Sequence, residues 1–492
     1  MTPTVAVLGG GIAGLAAAWE LSGGGARARP DCPAVVLFEA SGALGGKLAT
    51  SELGGTAVDV GPDGFLGRRP EAVELCREVG LADELVPVGR SGAEVWARGR
   101  RRRLPEGLVL GVPTRVVPAA RSGILSPRAV VRLATDLVFP RPDTRGPLGD
   151  RAIGPLVARK LGPEVVARLV DPLVGGIHAG GVSDASAAAV FPALLEAAQQ
   201  RASLMRSLAR LSRPGPRPDA EPAFWALRCG FGSLVARLAE LLGARGVEVR
   251  LGEPAESIER AGTRWVVAAG GGARSVDAVV LATPAGATAA LLEPHDAEAA
   301  SLLRNVDYAS VAVVTMLVPE DALPEDLFGT GVLVPRATPV PGTVAHEARA
   351  RRREPCMVTA CTYLWAKWPH LERPGVRLLR ASVGRMGDAR HRSMDDGELV
   401  RRVAEELQGL VGLAAEPLET AVTRWDEALP QYRVHHLLRV AAVEAAVQRL
   451  GGLAVAGAAY RGVGIPACIG SGRSAAAAVT ASLAGSPSTA SA

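Results

Sequence analysis

The chain begins with an apolar run, a glycine-rich turn and a second apolar run. Residues 5–8 are continuously apolar, which is typical of a strand buried on both faces. Residues 9–14 follow at once with the pattern Gly-x-Gly-x-x-Gly, and residues 15–21 are typical of a helix. This glycine pattern between a strand and a helix predicts a turn that binds the pyrophosphate of a dinucleotide at the helix N-terminus.

Three glycines and one carboxylate have distinct tasks in such a unit. Gly9 allows the tight turn, Gly11 lets a pyrophosphate approach the backbone, and Gly14 lets the helix pack closely on the strand. A second predicted strand, 34–38, ends at Glu39, whose carboxylate can accept hydrogen bonds from ribose hydroxyls. The alternative is a purely structural glycine turn in front of a core helix.

The next two segments distinguish between NAD and FAD, which both bind to this unit. Residues 42–47 contain a glycine pair followed by Lys47, and they resemble the second pyrophosphate-and-ribitol loop of glutathione-reductase-type flavoproteins. Residues 58–65 stand where relatives among the flavin amine oxidases pass along the flavin ring. Both resemblances favour FAD.

Two further α/β segments follow later in the chain. The predicted elements are a helix from residue 231 to about 242, strands at 247–251, 265–269, 276–282 and 453–457, and a helix at 472–482. We therefore predict an α/β fold in which a discontinuous, glutathione-reductase-like FAD-binding domain is interrupted by two inserts. Its predicted parts are 1–86, 223–292 and 429–484.

The inserts differ in their patterns. The first, 87–222, is mainly helical, and the second, 293–428, is a mixed substrate-binding domain. Helices are predicted at 128–137, 155–161, 164–173, 187–211 and 397–407, and strands at 310–318, 356–361 and 377–383. We expect an irregular connector at 212–222 and a disordered tail at 485–492.

Composition limits the possible partners. The chain has 492 residues, 48% of them hydrophobic and 21% charged, which is typical of globular domains. The net charge of +5 is small, and aromatic residues make up only 4% of the chain, which is too few for a nucleic-acid stacking surface. We therefore expect no nucleic-acid partner. The one dense basic run, 100–103, is expected to form a surface turn; an anion site for a carboxylated substrate or an acidic membrane is the alternative.

Metal binding and membrane insertion are not indicated. The six cysteines and seven histidines lack the spacing of a metal site, so we predict no metal. We find neither a membrane-spanning run of about 18 apolar residues nor a secretory signal. We expect a cytoplasmic location, with weak peripheral contact to a membrane in addition.

Several motifs along the chain make the resemblance more specific. They are Gly-Pro-Asp at 61–63, Leu-Pro-Glu-Gly at 104–107, Asp-Pro-Leu-Val-Gly-Gly-Ile-His-Ala-Gly at 171–180, Thr-Ala-Cys-Thr at 359–362, Lys-Trp-Pro-His at 367–370, Leu-Pro-Gln-Tyr at 429–432, Ala-Gly-Ala-Ala-Tyr at 456–460 and Ile-Pro-Ala-Cys-Ile at 465–469. With them, nearly the whole chain resembles the flavin-dependent protoporphyrinogen/coproporphyrinogen oxidases of the flavin amine oxidase superfamily. It is most similar to the coproporphyrinogen-oxidising branch of Gram-positive-type haem synthesis.

The resemblance implies a set of cofactor contacts. Val249 would contact the adenine through its main chain, and Trp425 would lie at the flavin end together with the turn before the last helix. The positive N-terminus of that helix would face the pyrimidine part of the flavin. The implied FAD-binding residues are Gly9, Gly10, Gly11, Ile12, Ala13, Gly14, Glu39, Ala40, Lys47, Gly61, Pro62, Asp63, Gly64, Val249, Trp425, Val463, Gly464 and Ile465.

The resemblance also implies the reaction. An FAD-dependent enzyme of this kind oxidises coproporphyrinogen III to coproporphyrin III in three two-electron cycles, each passing a hydride from a meso carbon to the flavin, and dioxygen becomes hydrogen peroxide. Protoporphyrinogen IX is the alternative substrate. No protein nucleophile is required, and no catalytic acid or base is assigned. Downstream haem-pathway enzymes are further candidate partners.

Coproporphyrinogen III carries four propionates, so arginines and lysines are expected around it. The candidates are Arg68, Arg69, Arg336 and Lys367, each with a surface charge as the alternative. Two further substrate-binding candidates follow from the resemblance, namely an apolar residue over the macrocycle in the turn 176–180 and a tyrosine near the flavin edge, or else both are ordinary core. They are Ile177 and Tyr460.

Two positions depart from the pattern of the relatives. Ala467 stands where many of them carry an aspartate, which places any carboxylate role near the flavin in doubt, and His435-His436 replaces Gly-His. An amine oxidase, a carotenoid desaturase or a non-catalytic FAD-binding scaffold are the competing functions.

Overall fold

The structure is a computed structural model that describes residues 2–24, 32–140, 149–200, 202–211, 222–341 and 354–485. The predicted connector, apart from Pro222, and the predicted tail, apart from Gly485, lie outside the described residues.

A five-stranded parallel sheet, which we call the dinucleotide sheet, unites three distant parts of the chain. Its strands in spatial order are Glu248–Leu251, Ala34–Glu39, Thr4–Leu8, Ala278–Leu281 and Leu453–Val455. The predicted strands are confirmed, and their register brings Val5 beside both Val35 and Ala278. The discontinuous α/β architecture predicted from the sequence is therefore present.

Both faces of the dinucleotide sheet are covered, which explains the continuous apolar run of its central strand. Val5 and Val7 pack into one core cluster, whereas Ala6 and Leu8 pack into another on the opposite face. The first face is covered by the helices Ile12–Leu21, Phe231–Ala244 and Ile465–Gly485. The second is covered by the helices Ala285–Leu292, Ala297–Arg304 and His436–Leu450 and by a meander of strands Ala255–Ala261, Arg264–Ala269 and Gly272–Val276.

Strands from between residues 94 and 430 form a second sheet of seven strands, which we call the large sheet. Its strands in spatial order are Glu419–Pro430, Tyr308–Pro319, Val376–Val383, Val358–Tyr363, Gly331–Leu333, Glu94–Ala97 and Arg100–Arg103. The helix Asp396–Val411 packs on it through Leu399, Val403 and Leu407. The basic run 100–103 is an edge strand and not a turn, because it pairs with Glu94–Ala97.

The helical part of the first insert has its own core. Its helical segments are Val116–Arg121, Pro127–Val138, Ile153–Leu161, Pro163–Val165, the π-helical Val166–Val170, Asp171–His178, Ala187–Val190, Pro192–Gln199 and Leu204–Leu211. One long helix over 187–211 was expected, and this prediction is wrong. Pro192 has no backbone N–H, so it cannot continue the hydrogen bonding of the preceding helix. A new helix therefore begins at Pro192, after Phe191, whose φ is −142° and ψ 65°.

Short elements connect these bodies. They are the strands Thr50–Leu53, Thr56–Asp59, Phe65–Leu66, Leu85–Pro87, Leu108–Val109, Val112–Pro113 and Phe224–Leu227, and the helical segments Pro70–Glu78, Ala82–Glu84, Glu320–Ala322, Leu364–Lys367, Pro369–Leu371 and Arg390–Ser393. Among the described residues, no helix combines the length and apolarity needed to cross a bilayer. The first insert contributes the strands Glu94–Ala97 and Arg100–Arg103 to the large sheet, so the two inserts share this sheet. The domain boundaries given above stay a prediction.

Candidate cofactor crevice and active site

The glycine turn after the first strand leaves no room for side chains at two positions. Gly9 has a φ of +106°, and a Cβ there would lie 2.7 Å from the Ala282 carbonyl oxygen. A Cβ on Gly14 would lie 1.9 Å from the Gly9 carbonyl oxygen, so the helix approaches the turn as closely as backbone permits. Both close approaches require glycine. The predicted roles of these two glycines agree with this geometry.

Gly11 has the opposite environment, because a Cβ there would meet no atom within 4 Å. The residue is the N-cap of the helix Ile12–Leu21, whose first turn carries no acidic side chain. The free N–H groups and positive end of that helix therefore face open space, which is what an anionic group needs.

The second glycine loop packs directly on the first. The Gly45 N–H donates to the Gly10 carbonyl at 2.9 Å, and a Cβ on Gly46 would lie 3.3 Å from the Gly11 Cα. Lys47 follows, and burial lowers the pKa of its ammonium group. Two glycine loops and a half-buried cation thus converge where the sequence predicted a pyrophosphate.

Glu39 stands at the carboxyl end of the neighbouring strand, beside Ala40. Its carboxylate accepts hydrogen bonds from the Gly10 N–H at 2.6 Å and from the Ser41 N–H at 2.8 Å. The edge strand on its other side carries Val249, which pairs with Leu37 in register. The predicted ribose acceptor and the predicted adenine contact therefore lie on adjacent strands at the same edge of the sheet.

The turn Gly61, Pro62, Asp63 and Gly64 joins the glycine loops to the large sheet. A Cβ on Gly61 would lie 1.8 Å from the Lys47 carbonyl oxygen, and the Trp425 indole donates to the Val60 carbonyl at 2.8 Å. The cofactor-binding candidates of the first part of the chain are thereby brought together with Trp425.

Asp63 is the centre of a partly buried ion cluster. Lys367 donates to both carboxylate oxygens at 3.0 and 2.8 Å, the Trp368 indole donates at 3.3 Å, and an Arg380 nitrogen lies 3.3 Å away. Burial by itself raises the pKa of Asp63, but the charges of Lys367 and Arg380 outweigh it and hold this pKa below its usual range. Asp63 is therefore ionised.

This cluster changes the interpretation of Lys367, which the sequence suggested as a propionate contact. The structure directs its ammonium group to Asp63, where the positive charge is already matched. Arg380, which also donates to the Gly61 carbonyl, was missed by the sequence reasoning. The strand Val376–Val383 also carries Arg377, so no local sequence signal distinguished Arg380.

Asp59 is the last residue of the strand Thr56–Asp59, four positions before Asp63. Its carboxylate accepts hydrogen bonds from the Thr50 hydroxyl at 2.7 Å and the Phe231 N–H at 2.8 Å. Burial raises the pKa of Asp59 to about 6, and the nearby charge of Asp63 acts in the same direction. The pKa values of these two carboxyl groups are therefore shifted in opposite directions, because burial dominates at Asp59 whereas the charges of Lys367 and Arg380 dominate at Asp63.

The last helix, Ile465–Gly485, brings its N-terminus to the same region. A Cβ on Gly472 would lie 2.0 Å from the Ala13 carbonyl oxygen, so this helix crosses the first one at close range. Cys468 lies in its first turn, and burial raises the pKa of this thiol to about 11. The predicted turn Val463, Gly464 and Ile465 is thus held beside the glycine loops.

The predicted propionate contacts have different surroundings. Arg68 and Arg69 are exposed, and Arg69 pairs with Glu71 at 2.7 Å while reaching within 3.8 Å of the Cβ position of Gly462. Arg336 donates to the Met386 carbonyl at 3.1 Å and lies 3.8 Å from Asp171. Arg69 is therefore next to the turn before the last helix, and Arg336 is next to the helix Asp171–His178.

Ile177 and Tyr460 also differ from each other. Ile177 lies on the last turn of the helix Asp171–His178, not in the expected irregular turn, and it is 47% exposed. Tyr460 is 2% exposed and packs in the core cluster on the far face of the dinucleotide sheet. The structure therefore places Ile177 on an open surface and Tyr460 in the core.

Comparison with known proteins shows the family to which the chain belongs. The family model described as flavin containing amine oxidoreductase matches residues 12–480 of the chain. The chain belongs to this family. It is an FAD-dependent oxidoreductase, as the match to this flavin family and the relatives described next show.

Individual relatives match over almost the whole length. The chain is 31% identical to coproporphyrinogen III oxidase of Bacillus subtilis (strain 168), with 96% of each chain covered. It is 33% identical to coproporphyrinogen III oxidase of Propionibacterium freudenreichii, with 98% of this chain and 92% of that one covered. A crystal structure from Exiguobacterium sp. 255-15, described as a candidate protoporphyrinogen oxidase, superimposes with a TM-score of 0.83 at 31% identity, covering 98% of this chain and 99% of that one.

Proposed function

We propose that this protein oxidises coproporphyrinogen III to coproporphyrin III in haem biosynthesis, with FAD as cofactor and dioxygen as acceptor. The observation that carries the proposal is the similarity to proteins named coproporphyrinogen III oxidase over at least 96% of the chain. The crevice supports it, because its glycine loops and helix N-terminus suit a dinucleotide.

FAD, when bound, supplies two-electron oxidation of carbon and the return of those electrons to dioxygen. The residues of the crevice would hold it: Gly11 and Gly46 would leave space for the phosphates, Glu39 would accept from a ribose hydroxyl, and Lys47 would add positive charge. The turn Gly61–Gly64 and Trp425 would flank the ring system. Removal of six hydrogens from a porphyrinogen requires three such oxidations and yields three molecules of hydrogen peroxide.

The substrate is held by charge and by apolar contact. Arg69, beside the turn that precedes the last helix, binds one propionate, and Arg336, beside the helix Asp171–His178, binds another. Ile177 offers an exposed apolar side chain on that same helix for the macrocycle. Arg68 remains a further propionate candidate, and the chain contributes orientation and exclusion of water rather than a nucleophile.

The location and further partners extend the same proposal. We infer a cytoplasmic enzyme with weak peripheral contact to a membrane, which passes its product to downstream haem-pathway enzymes. The exposed Val131, Val138 and Phe139 at the helix Pro127–Val138 are compatible with such a contact.

The second candidate substrate is protoporphyrinogen IX, favoured by the similarity to the Exiguobacterium sp. 255-15 protein, which is described as a candidate protoporphyrinogen oxidase. Comparing kcat/KM for both porphyrinogens under air, with detection of the fluorescent porphyrin products, separates the two. We expect the tetracarboxylate to be preferred. A preference for protoporphyrinogen of about tenfold, equal to about 1.4 kcal/mol, would reverse the assignment.

A further inference from the structure

Two adjacent residues at the end of the large sheet touch both sides of the proposed active site. Gln431 and Tyr432 follow directly after the strand Glu419–Pro430, and they are 9% and 4% exposed. The Gln431 N–H donates to the carbonyl of Asp307, the residue directly before the strand Tyr308–Pro319, at 2.8 Å, which fixes this segment to the start of that strand as well. Both side chains therefore start from a rigid support.

Gln431 holds the end of the helix that carries Ile177. Its side-chain amide donates to the His178 carbonyl at 2.8 Å and to the Leu429 carbonyl at 2.9 Å. Its amide oxygen lies so close to Gly180 that a Cβ there would be 2.1 Å away. The helix therefore ends against this side chain, and Ile177 lies next to the carbonyl that Gln431 binds.

Tyr432 holds the turn on the cofactor side. Its hydroxyl accepts from the Gly462 N–H at 2.8 Å and donates to the Ala458 carbonyl. Its ring stacks on His436 with the centroids 3.9 Å apart, and the His436 ring nitrogen Nε2 contacts the Tyr460 carbonyl at 2.8 Å. Two side chains thus bind the backbone of residues 458–462, which leads into the N-terminus of the last helix.

We propose that Gln431 and Tyr432 are positioning residues that set the separation between the substrate-covering helix end at Ile177 and the cofactor-facing turn at Gly462–Ile465. This inference rests on the proposed function, since it assigns the two sides to substrate and FAD. Hydride transfer depends steeply on the distance between donor and acceptor, so a common anchor for both sides has a direct catalytic use.

The two residues act on different quantities. The positive end of the last helix stabilises negative charge that develops on a reduced ring system, so a displaced Gly462–Ile465 turn lowers the midpoint potential of bound FAD. A displaced helix end at Ile177 instead weakens the contact with the porphyrinogen and leaves the flavin unchanged. Each residue can therefore be tested by its own readout.

The first arm of the experiment uses the FAD-loaded Tyr432→Phe variant without any substrate. This variant keeps the ring stack on His436 and removes only the hydroxyl, so it folds. We expect a more negative midpoint potential and an altered flavin absorption spectrum, with KM for coproporphyrinogen III changed less than twofold. The matched control is Tyr363→Phe, a buried tyrosine that stacks on Trp365 in the core cluster of the large sheet; its potential should equal that of the wild type.

The second arm uses Gln431→Met, which keeps the side-chain length and cannot donate. We expect KM for coproporphyrinogen III to rise about three- to tenfold, as for the loss of one buried hydrogen bond, with an unchanged potential.

Unchanged potential and KM in both variants, with only a lower melting temperature, would overturn the proposal in favour of a purely structural role. The same changes in both variants would overturn the division of roles. Absence of porphyrinogen oxidation in the wild type would reject the proposed function alone, because the potential of Tyr432→Phe is measured without substrate.

Discussion

Single residues decide whether the crevice accepts a dinucleotide. Gly9 and Gly14 are glycines because backbone atoms of the protein itself occupy the Cβ positions. Gly11 is a glycine although the protein leaves its Cβ position open. A ligand can occupy the space that the protein leaves open at Gly11. A substitution of Gly11 therefore tests cofactor binding separately from folding.

We predict that Gly11→Val folds but loses FAD. A Cβ at this position meets no protein atom within 4 Å, so we expect the valine side chain to be accommodated by the fold and to fill the phosphate position at the helix N-terminus. The measurement is the ratio of flavin to protein absorbance after purification. The matched control is Gly243→Val, an exposed helical position where a Cβ also meets nothing, and it should keep stoichiometric FAD. A Gly11→Val protein with full FAD would refute the phosphate assignment.

A second residue-scale prediction concerns propionate recognition. Arg69→Ala should raise KM for the tetracarboxylate coproporphyrinogen III more than KM for the dicarboxylate protoporphyrinogen IX, by about threefold to tenfold for one lost charge-assisted contact. Steady-state kinetics with both substrates measure this. Arg304→Ala is the control, because Arg304 is likewise exposed and paired with a glutamate, Glu293. Equal effects on both substrates would remove Arg69 from the site.

At the scale of elements, the ion cluster around Asp63 ties the turn Gly61–Gly64 to the large sheet. Lys367 lies 304 residues further along the chain and Arg380 lies on the strand Val376–Val383. Neither partner is visible from local sequence patterns, because nothing in the spacing of charges over hundreds of residues specifies a contact. The sequence predicted each segment, and only the fold revealed that they meet.

We expect Lys367→Met to lower the free energy of unfolding by roughly 2 kcal/mol, because it leaves the Asp63 carboxylate with Arg380 as its remaining charged partner in a partly buried site. Urea unfolding with excess FAD present provides the measurement. The double variant Asp63→Asn/Lys367→Met should recover part of the loss. Arg304→Met, which breaks an exposed pair, should cost less than about 1 kcal/mol. A Lys367→Met cost as small as that would mean that the cluster does not stabilise the turn.

Elements also mark the limits of sequence reasoning. The strand–turn–helix unit at the start was predictable because its pattern is local and its glycines have few alternative uses. The predicted helix 187–211 failed because the apolar spacing continues through Pro192 although the backbone cannot. Four consecutive arginines predict a solvent-exposed turn at 100–103. An edge strand also exposes side chains to solvent and can carry such charges, so the pattern does not distinguish the two.

At the scale of the whole molecule, buried histidines make the fold sensitive to acid. Burial lowers the pKa of His436 and of His178 to about 4. The unfolded chain binds protons at these imidazoles below about pH 6.5 while the folded chain does not, so stability falls as pH decreases from 6.5 towards 4.

We therefore predict that His436→Gln loses less stability than the wild type between about pH 7.5 and pH 5, by roughly 2 kcal/mol. Urea unfolding at the two pH values measures the difference. The control is His435→Asn, because His435 is the exposed neighbour and asparagine tolerates its positive φ of 69°. Equal pH dependence of the His436→Gln variant and the wild type would show that His436 is not the group responsible.

The proposed reaction depends on a flavin that takes electrons from a cyclic tetrapyrrole. The most direct measurement is the absorption spectrum of the purified protein, first mixed with coproporphyrinogen III without oxygen and then exposed to air. We predict a yellow protein whose flavin bands bleach on mixing and return under air, while coproporphyrin III and hydrogen peroxide form in a ratio of one to three. Flavin bands that stay unchanged with coproporphyrinogen III and with protoporphyrinogen IX, after loading with FAD, would contradict the account.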